Sequence, residues 1–380
     1  MSAKAAAPEA FLPEDWRSAT LVGRIQTRAG PSPVLCREGR LADMSRVVPT
    51  VSALLDAWRG AAAGGADLGL ITDFDFEAQP LLAPIDLQCV KAAGVTFAVS
   101  AVERVIEERA RGDAAKAQAI RDGLRERVGA DIRAVKPGSD AAMALKQALI
   151  AGGLWSQYLE VAIGPDAEIF TKAPVLSAVG HGAQVGIRSD SAWNNPEPEI
   201  VLVCDGAGRP VGATLGNDVN LRDFEGRSAL LLGKAKDNNA SCALGPFIRL
   251  FDAGFTLDHV RAARVDLEIL GADGYSLEGH SSMDQISRDP EDLVRQALSE
   301  HQYPDGFALF LGTLFAPVQD RDTPGQGFTH KLGDRVRVSS PRLGMLENEV
   351  TTSRAATPWT FGVGALMRNL AGRGLLGTPE

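Results

Sequence analysis

The sequence reads as an α+β protein rich in β-strands, on three observations. Apolar, β-branched stretches bounded by Pro or Gly recur from Ile200 onward, in Ile200-Val201-Leu202-Val203, Arg264 to Leu270 and Arg335 to Val338, the pattern of short strands. Helical periodicity is concentrated earlier, between about Ser100 and Ala151. Strands and helices do not alternate regularly, which argues against a doubly wound parallel sheet.

The chain opens with strands. Thr20 to Ile25 alternates apolar and polar residues; Pro31, Pro33, Gly39 and the Gly64-Gly65 pair punctuate the stretch after it, and a helix from about Val51 to Arg59 interrupts that stretch. This predicts a small N-terminal α+β domain over residues 1–85, with Leu81 to Ile85 crossing into a larger domain over residues 86–380. Val102, Val105 and Ile106, continued past Gly112 by Ala115, Ala119, Ile120 and Leu124, predict helix, and another runs from about Asp140 to Ala151. After Trp155 the strands named above are joined by Ala229 to Leu232, also strand-like, while Glu291 to Glu300 and Phe361 to Leu370 read as helices.

Composition narrows the function. With 380 residues, 45% hydrophobic and 23% charged, the chain can bury a sizeable core. Its net charge of -9 repels nucleic acid and anionic membrane, so neither is an expected partner. The N-terminal stretch carries Glu9, Glu14 and Asp15 without the apolar core of a signal peptide. The longest apolar run, Phe307 to Val318, is shorter than the roughly 20 residues of a membrane-spanning helix. Cys36, Cys89, Cys204 and Cys242 are scattered without metal-ligand spacing and read as reduced and buried. A cytoplasmic protein is expected.

The chemistry gathers around three acids. Glu197 and Glu199 are spaced i, i+2, so on a strand they point the same way; Asp218 comes after an apolar stretch and Gly216. Clustered carboxylates repel unless a cation is shared, and three hard oxygen ligands outline a Mg²⁺ site with positions left for water or substrate. Mn²⁺ can use the same oxygens. The histidines share no ligand spacing, so a zinc centre is not expected. Ser100 and Glu103 open a periodic helix as a Ser-x-x-Glu capping box, which also sets side chains at a helix mouth where an anion is welcome.

Glu197-x-Glu199, then Gly216-Asn217-Asp218-Val219-Asn220-Leu221-Arg222-Asp223, then Lys236 with Leu244-Gly245-Pro246 resemble the fumarylacetoacetate hydrolase family. The resemblance runs through Glu168 to Pro174 upstream and Leu311-Gly312-Thr313 with Gly333-Asp334 downstream, covering roughly residues 86 to 350. It implies a fumarylacetoacetate hydrolase-like catalytic domain, a mixed β-roll or sandwich, over residues 86–380. It also implies Mg²⁺ as cofactor and a homodimer or homotetramer. Where the family's hydrolases and decarboxylases carry a His-x-x-Glu pair, this chain has Ser100-Ala101-Val102-Glu103. Without that histidine the water-activating dyad is missing, which argues against C–C bond hydrolysis.

Family members that dehydrate 2-keto-3-deoxy sugar acids are the better likeness, through Phe170-Thr171-Lys172, Trp193 to Pro196 and Asp320 to Gly327. They imply loss of water from a 2-keto-3-deoxypentonate, the D-xylonate derivative or its L-arabinonate counterpart, to give 2-oxoglutarate semialdehyde; the alternative is hydrolysis of a 2,4-diketo acid. A 2-keto acid chelates Mg²⁺ through a carboxylate and the keto oxygen, which eases loss of a C3 proton. By resemblance Glu168 and Lys236 do the acid–base work, either as base and the other as acid. A desolvated Lys can be neutral, and a Glu in an apolar setting can hold a proton near neutral pH. Thr313 resembles a substrate-binding threonine; Phe97, Ser100 and Glu103 would line the tail of the pocket, and Lys172 and Arg222 would support it.

Overall fold

The computed structural model describes residues 8–58, 64–111, 113–117, 120, 135–315, 317–322, 324 and 327–377. A ten-stranded sheet is its spine. From edge to edge it runs Ala66–Leu70, Arg40–Asp43, Gly30–Arg37, Leu21–Thr27, Cys242–Leu250, Pro210–Asp218, Pro198–Cys204, Phe307–Phe310, Cys89–Gly94 and Glu168–Ala173. Neighbours are antiparallel except Phe307–Phe310 with Cys89–Gly94, which are parallel.

The central strands Pro198–Cys204 and Cys242–Leu250 are buried at every residue, as strands covered on both faces must be. Alternate side chains serve different cores. Ile200, Leu202 and Cys204 share one with Val265, Leu267, Ile269, Val336 and Val338, which belong to a five-stranded sheet ordered Ser276–Ser282, Arg264–Leu270, Arg335–Ser340, Gly344–Thr352 and Gln184–Ile187. Val201 and Val203 share another with Val51, Leu54 and Leu55 of the helix Val51–Ala57. The helices Ala98–Ala110, Asp140–Ala151 and Gln157–Ile163 form a third core from Val102, Val105, Ile106, Leu149, Tyr158 and Leu159.

The architecture is α+β and β-rich, as expected. Residues of the expected N-terminal domain enter the large sheet directly, with Leu21 and Val22 paired to Arg249 and Ile248. Ala229–Leu231 is not a strand but a 3-10 turn leading into the helix Leu232–Lys236. Ser228 caps that turn by accepting the Leu230 N–H, and Leu230 itself is exposed, so its apolar character reflects no half-buried pleat. Nor is Ser100 a cap. The helix starts at Ala98 after Phe97, which makes no side-chain cap bond, and Ser100 Oγ donates to the Thr313 carbonyl. All four cysteines are free, but Cys89 is only half-buried. Among the described residues no helix is long and apolar enough to cross a membrane. Arg59, Gly112, Ala119, Leu124, Thr323, Gly325 and Gln326 lie outside the described residues.

Candidate active site

The antiparallel strands Pro198–Cys204 and Pro210–Asp218 bring the acids together. Glu199 lies opposite Gly216 and Pro198 opposite Asn217. A Cβ on Gly216 would sit 2.3 Å from the Phe310 ring, so this close approach needs glycine. The Asp218 N–H donates to the Glu197 carbonyl at 3.0 Å, and the Asn217 side-chain oxygen accepts the Glu197 N–H at 3.2 Å. With the strand ends locked in this way, Glu197, Glu199 and Asp218 each offer an oxygen within 4.8 Å of the others, all three residues being buried.

Protein donors surround the trio. Arg104 donates to Glu197 Oε1 at 2.6 Å, Lys172 pairs with Asp218 Oδ1 at 2.7 Å, and the Gly312 N–H donates to Glu199 Oε2 at 2.6 Å. Lys236 Nζ reaches Glu197 Oε2 and, at 3.1 Å, Asp218 Oδ2. Burial would raise the Glu197 carboxyl, but Lys236 and Arg104 bring it down to about 2. Glu199 goes the other way: burial, then the charges of Asp218 and Glu197, hold it well above the usual carboxylate range. A buried trio in which one acid resists ionising is short of positive charge, and oxygen donors of this kind suit a hard divalent cation. The residues therefore fit Mg²⁺ or Mn²⁺. Burial lowers Lys236, yet Asp218 and Glu197 outweigh it and keep the ammonium charged.

Glu168 starts the strand Glu168–Ala173 and lies opposite Gly94. Burial raises its carboxyl. A Cβ on Gly94 would sit 2.1 Å from Glu168 Oε2, so the missing side chain is what gives the carboxylate room. Glu168, Lys236, Ser100, Thr313 and the acidic trio line one pocket together with Phe170, Arg104 and Glu225. Phe97 is instead buried in the core, and Glu103 lies outside the lining.

Sequence reasoning passes over Arg104 and Glu225. Arg104 joins Glu197 to Glu107 at 2.7 Å and to Glu225 at 2.6 Å; its i, i+4 spacing from Ser100 is the signal that places both on one helix face. Burial pushes Glu225 up to about 7, against the pull of Arg104. Lys172 is fully buried, and Arg222 pairs with Glu107 at 3.2 Å.

Comparison with known proteins gives a consistent picture. The model of the fumarylacetoacetate (FAA) hydrolase C-terminal family matches residues 156–351. A 2-dehydro-3-deoxy-D-arabinonate dehydratase of Saccharolobus solfataricus is 30% identical over 190 residues, 50% of this chain and 60% of that protein. A probable 2-keto-3-deoxyxylonate dehydratase of Haloferax volcanii is 29% identical over 198 residues, 51% of this chain and 64% of that protein. The matched region thus spans less than two thirds of either relative. A solved 2-keto-3-deoxy-D-arabinonate dehydratase, complexed with magnesium and 2,5-dioxopentanoate, has the same fold, with a TM-score of 0.62 at 22% identity over 88% of this chain and 99% of that one.

Proposed function

The chain belongs to the fumarylacetoacetate hydrolase family, and from that premise we propose that it is a Mg²⁺-dependent lyase removing water from a 2-keto-3-deoxypentonate. The substrate in this reading is 2-keto-3-deoxy-D-xylonate and the product 2-oxoglutarate semialdehyde, 2,5-dioxopentanoate. The observation that carries it is the composition of one pocket: three metal-binding acids, Glu168 and Lys236 for proton transfer, and no histidine among the described lining residues. With no imidazole in that lining, Glu168 and Lys236 are the groups placed for acid–base work on the substrate.

Glu197, Glu199 and Asp218 would hold the cation. Bound Mg²⁺ supplies a Lewis acid for the carboxylate and keto oxygens of a 2-keto acid. Glu168 and Lys236 form the acid–base pair. The C3–H and C4–O bonds break, a C3–C4 double bond forms, and the C4 hydroxyl takes a proton and leaves as water. A proton lost from C5 and one gained at C3 then give the enol of the C5 aldehyde, which completes the change by accepting its proton at C4. Ser100 and Thr313 hold the hydroxylated tail of the substrate.

The names of the curated relatives support this substrate. D-Arabinonate and D-xylonate differ only at C2 and C3, and the 2-keto-3-deoxy form erases both centres, so their derivatives are one compound. Residues 86–380 serve as the catalytic unit and residues 1–85 as an N-terminal unit. A reducing cytoplasm suits the four free cysteines, and a homodimer or homotetramer agrees with the family.

The test is a coupled assay in which purified protein, Mg²⁺ and 2-keto-3-deoxy-D-xylonate feed an NAD(P)-linked semialdehyde dehydrogenase. Reduced cofactor is expected, with a slower signal from the L-arabinonate derivative. Pyruvate release from an acylpyruvate, with no signal from either sugar acid, would overturn the reading.

A further inference from the structure

Each acid of the trio has one oxygen held by a protein group other than Lys236, which contacts the second oxygen of Glu197 and of Asp218 and would have to yield that place to a cation. Glu197 Oε1 is held by Arg104 at 2.6 Å, Asp218 Oδ1 by Lys172 at 2.7 Å, and Glu199 Oε2 by the Gly312 N–H at 2.6 Å. We infer that these three donors set the size selectivity of the metal centre, by making every carboxylate offer a cation a single oxygen. This device rests on the divalent-metal reading of the pocket and adds to it the means of choosing among cations.

The donors are themselves immobilised. The Arg104 guanidinium is pinned from the far side by Glu107 at 2.7 Å and Glu225 at 2.6 Å. Lys172 is fully buried and also donates to the carbonyls of Val219, at 3.3 Å, and Lys236. Gly312 has φ +92° and no room for a Cβ, which would lie 2.0 Å from Thr96 Oγ1, so its N–H is fixed by the chain path.

Three single oxygens would leave three of the six positions that Mg²⁺ demands, at about 2.0–2.1 Å, for water or a 2-keto acid. Mn²⁺ accepts the same hard oxygen donors. Ca²⁺ takes roughly 6–8 oxygens at longer range, commonly with both oxygens of a carboxylate. To chelate through Glu197 or Asp218 it must first break an ion pair with Arg104 or Lys172. Removing either donor also removes a positive charge, which strengthens Mg²⁺ and Ca²⁺ alike because both are divalent. The ratio of the two affinities is therefore the quantity that reports the number of oxygens offered.

Calorimetric titration of the full chain with MgCl₂ and with CaCl₂ tests this in the wild type, Arg104→Met and Lys172→Met, each first shown by circular dichroism to be folded. The wild type is expected to bind Mg²⁺ more tightly than Ca²⁺, and each variant to shift the ratio toward Ca²⁺ by about tenfold. A ratio within twofold of wild type in a folded variant overturns the inference, as does a wild type that prefers Ca²⁺. Should neither variant fold, the infrared carboxylate stretches of the Mg²⁺-loaded wild type decide. A single-oxygen pattern supports the device and a chelating pattern refutes it. A wild type that binds neither cation overturns the metal reading itself, whereas binding with an unmoved ratio overturns only the selectivity device.

Discussion

The carboxylate end of the pocket and its helix end are built differently. Glu197, Glu199 and Asp218 sit on or beside two paired strands of the central sheet, buried, with each carboxylate oriented by a donor. Ser100 and Arg104 come from the helix Ala98–Ala110, whose apolar side packs in a core of its own with the helices Asp140–Ala151 and Gln157–Ile163. The Ser100 bond to the Thr313 carbonyl and the Arg104 bond to Glu197 tie that helix to the pocket. Charge balance dictates the first end, where every member must be present. The second end is joined to the first through Arg104, which donates to Glu197, while Ser100 reaches only the Thr313 carbonyl.

That contrast can be broken by substitution. Glu199→Ala removes one of the three proposed ligands and is expected to lower kcat/KM by about 10³-fold or more. It should leave Tm unchanged or higher, because it relieves a buried carboxylate whose ionisation Asp218 and Glu197 oppose; turnover and thermal melts check the pair of effects. Glu168→Gln should cost about 10²–10⁴-fold in kcat while calorimetry finds Mg²⁺ affinity within twofold of wild type. Gly94→Ala inserts a Cβ where Glu168 Oε2 lies and is expected to lower kcat about 10²-fold by displacing that carboxylate, with metal affinity again retained. At the helix end the effect is smaller: Ser100→Ala loses one hydrogen bond and should raise KM by less than about tenfold with kcat nearly unchanged. If Ser100→Ala instead matched Glu199→Ala in lost turnover, the division between the two ends would be wrong.

A group outside both ends acts on stability rather than on turnover. His181 accepts the Glu347 N–H at 3.1 Å through Nδ1 and packs on Phe11, and burial lowers it from 6.5 to about 4. Between those values the unfolded chain binds a proton that the folded one refuses. Its contribution is therefore complete above pH 6.5 and is lost as pH falls toward 4. About 2 kcal/mol is expected, less than the full shift because the ring is partly solvated. Urea unfolding of wild type and His181→Phe across this range measures it as the difference between the two declines, because burial also lowers His330 and both proteins keep that part.

Much of the carboxylate end was legible in the sequence because its signals are local. The i, i+2 acids need only a strand, Asp218 needs only the end of the strand that carries Gly216, and a motif order carries Lys236 and Glu168. The helix end was less legible because its partners are distant along the chain. Arg104 meets Glu197 across 93 positions, with nothing local to mark the pair beyond its one-turn spacing from Ser100. Phe97 and Glu103 are expected in the pocket through their nearness to Ser100, but Phe97, just before a helix starting at Ala98, is buried in the core and Glu103 is not among the lining residues. The pairing of Leu21 with Arg249 likewise has no local signature. The strand assigned to Ala229 to Leu232 failed because an apolar run beside a Ser cap also suits a turn entering a helix.

Metal-dependent elimination is decided by ¹³C NMR of labelled 2-keto-3-deoxy-D-xylonate with the purified protein. With Mg²⁺ or Mn²⁺ the C4 carbinol signal should vanish as a C5 aldehyde, or its hydrate, appears, and EDTA should abolish the change. An unaltered C4 signal in the presence of Mg²⁺, from a protein that cleaves an acylpyruvate to pyruvate, would contradict it.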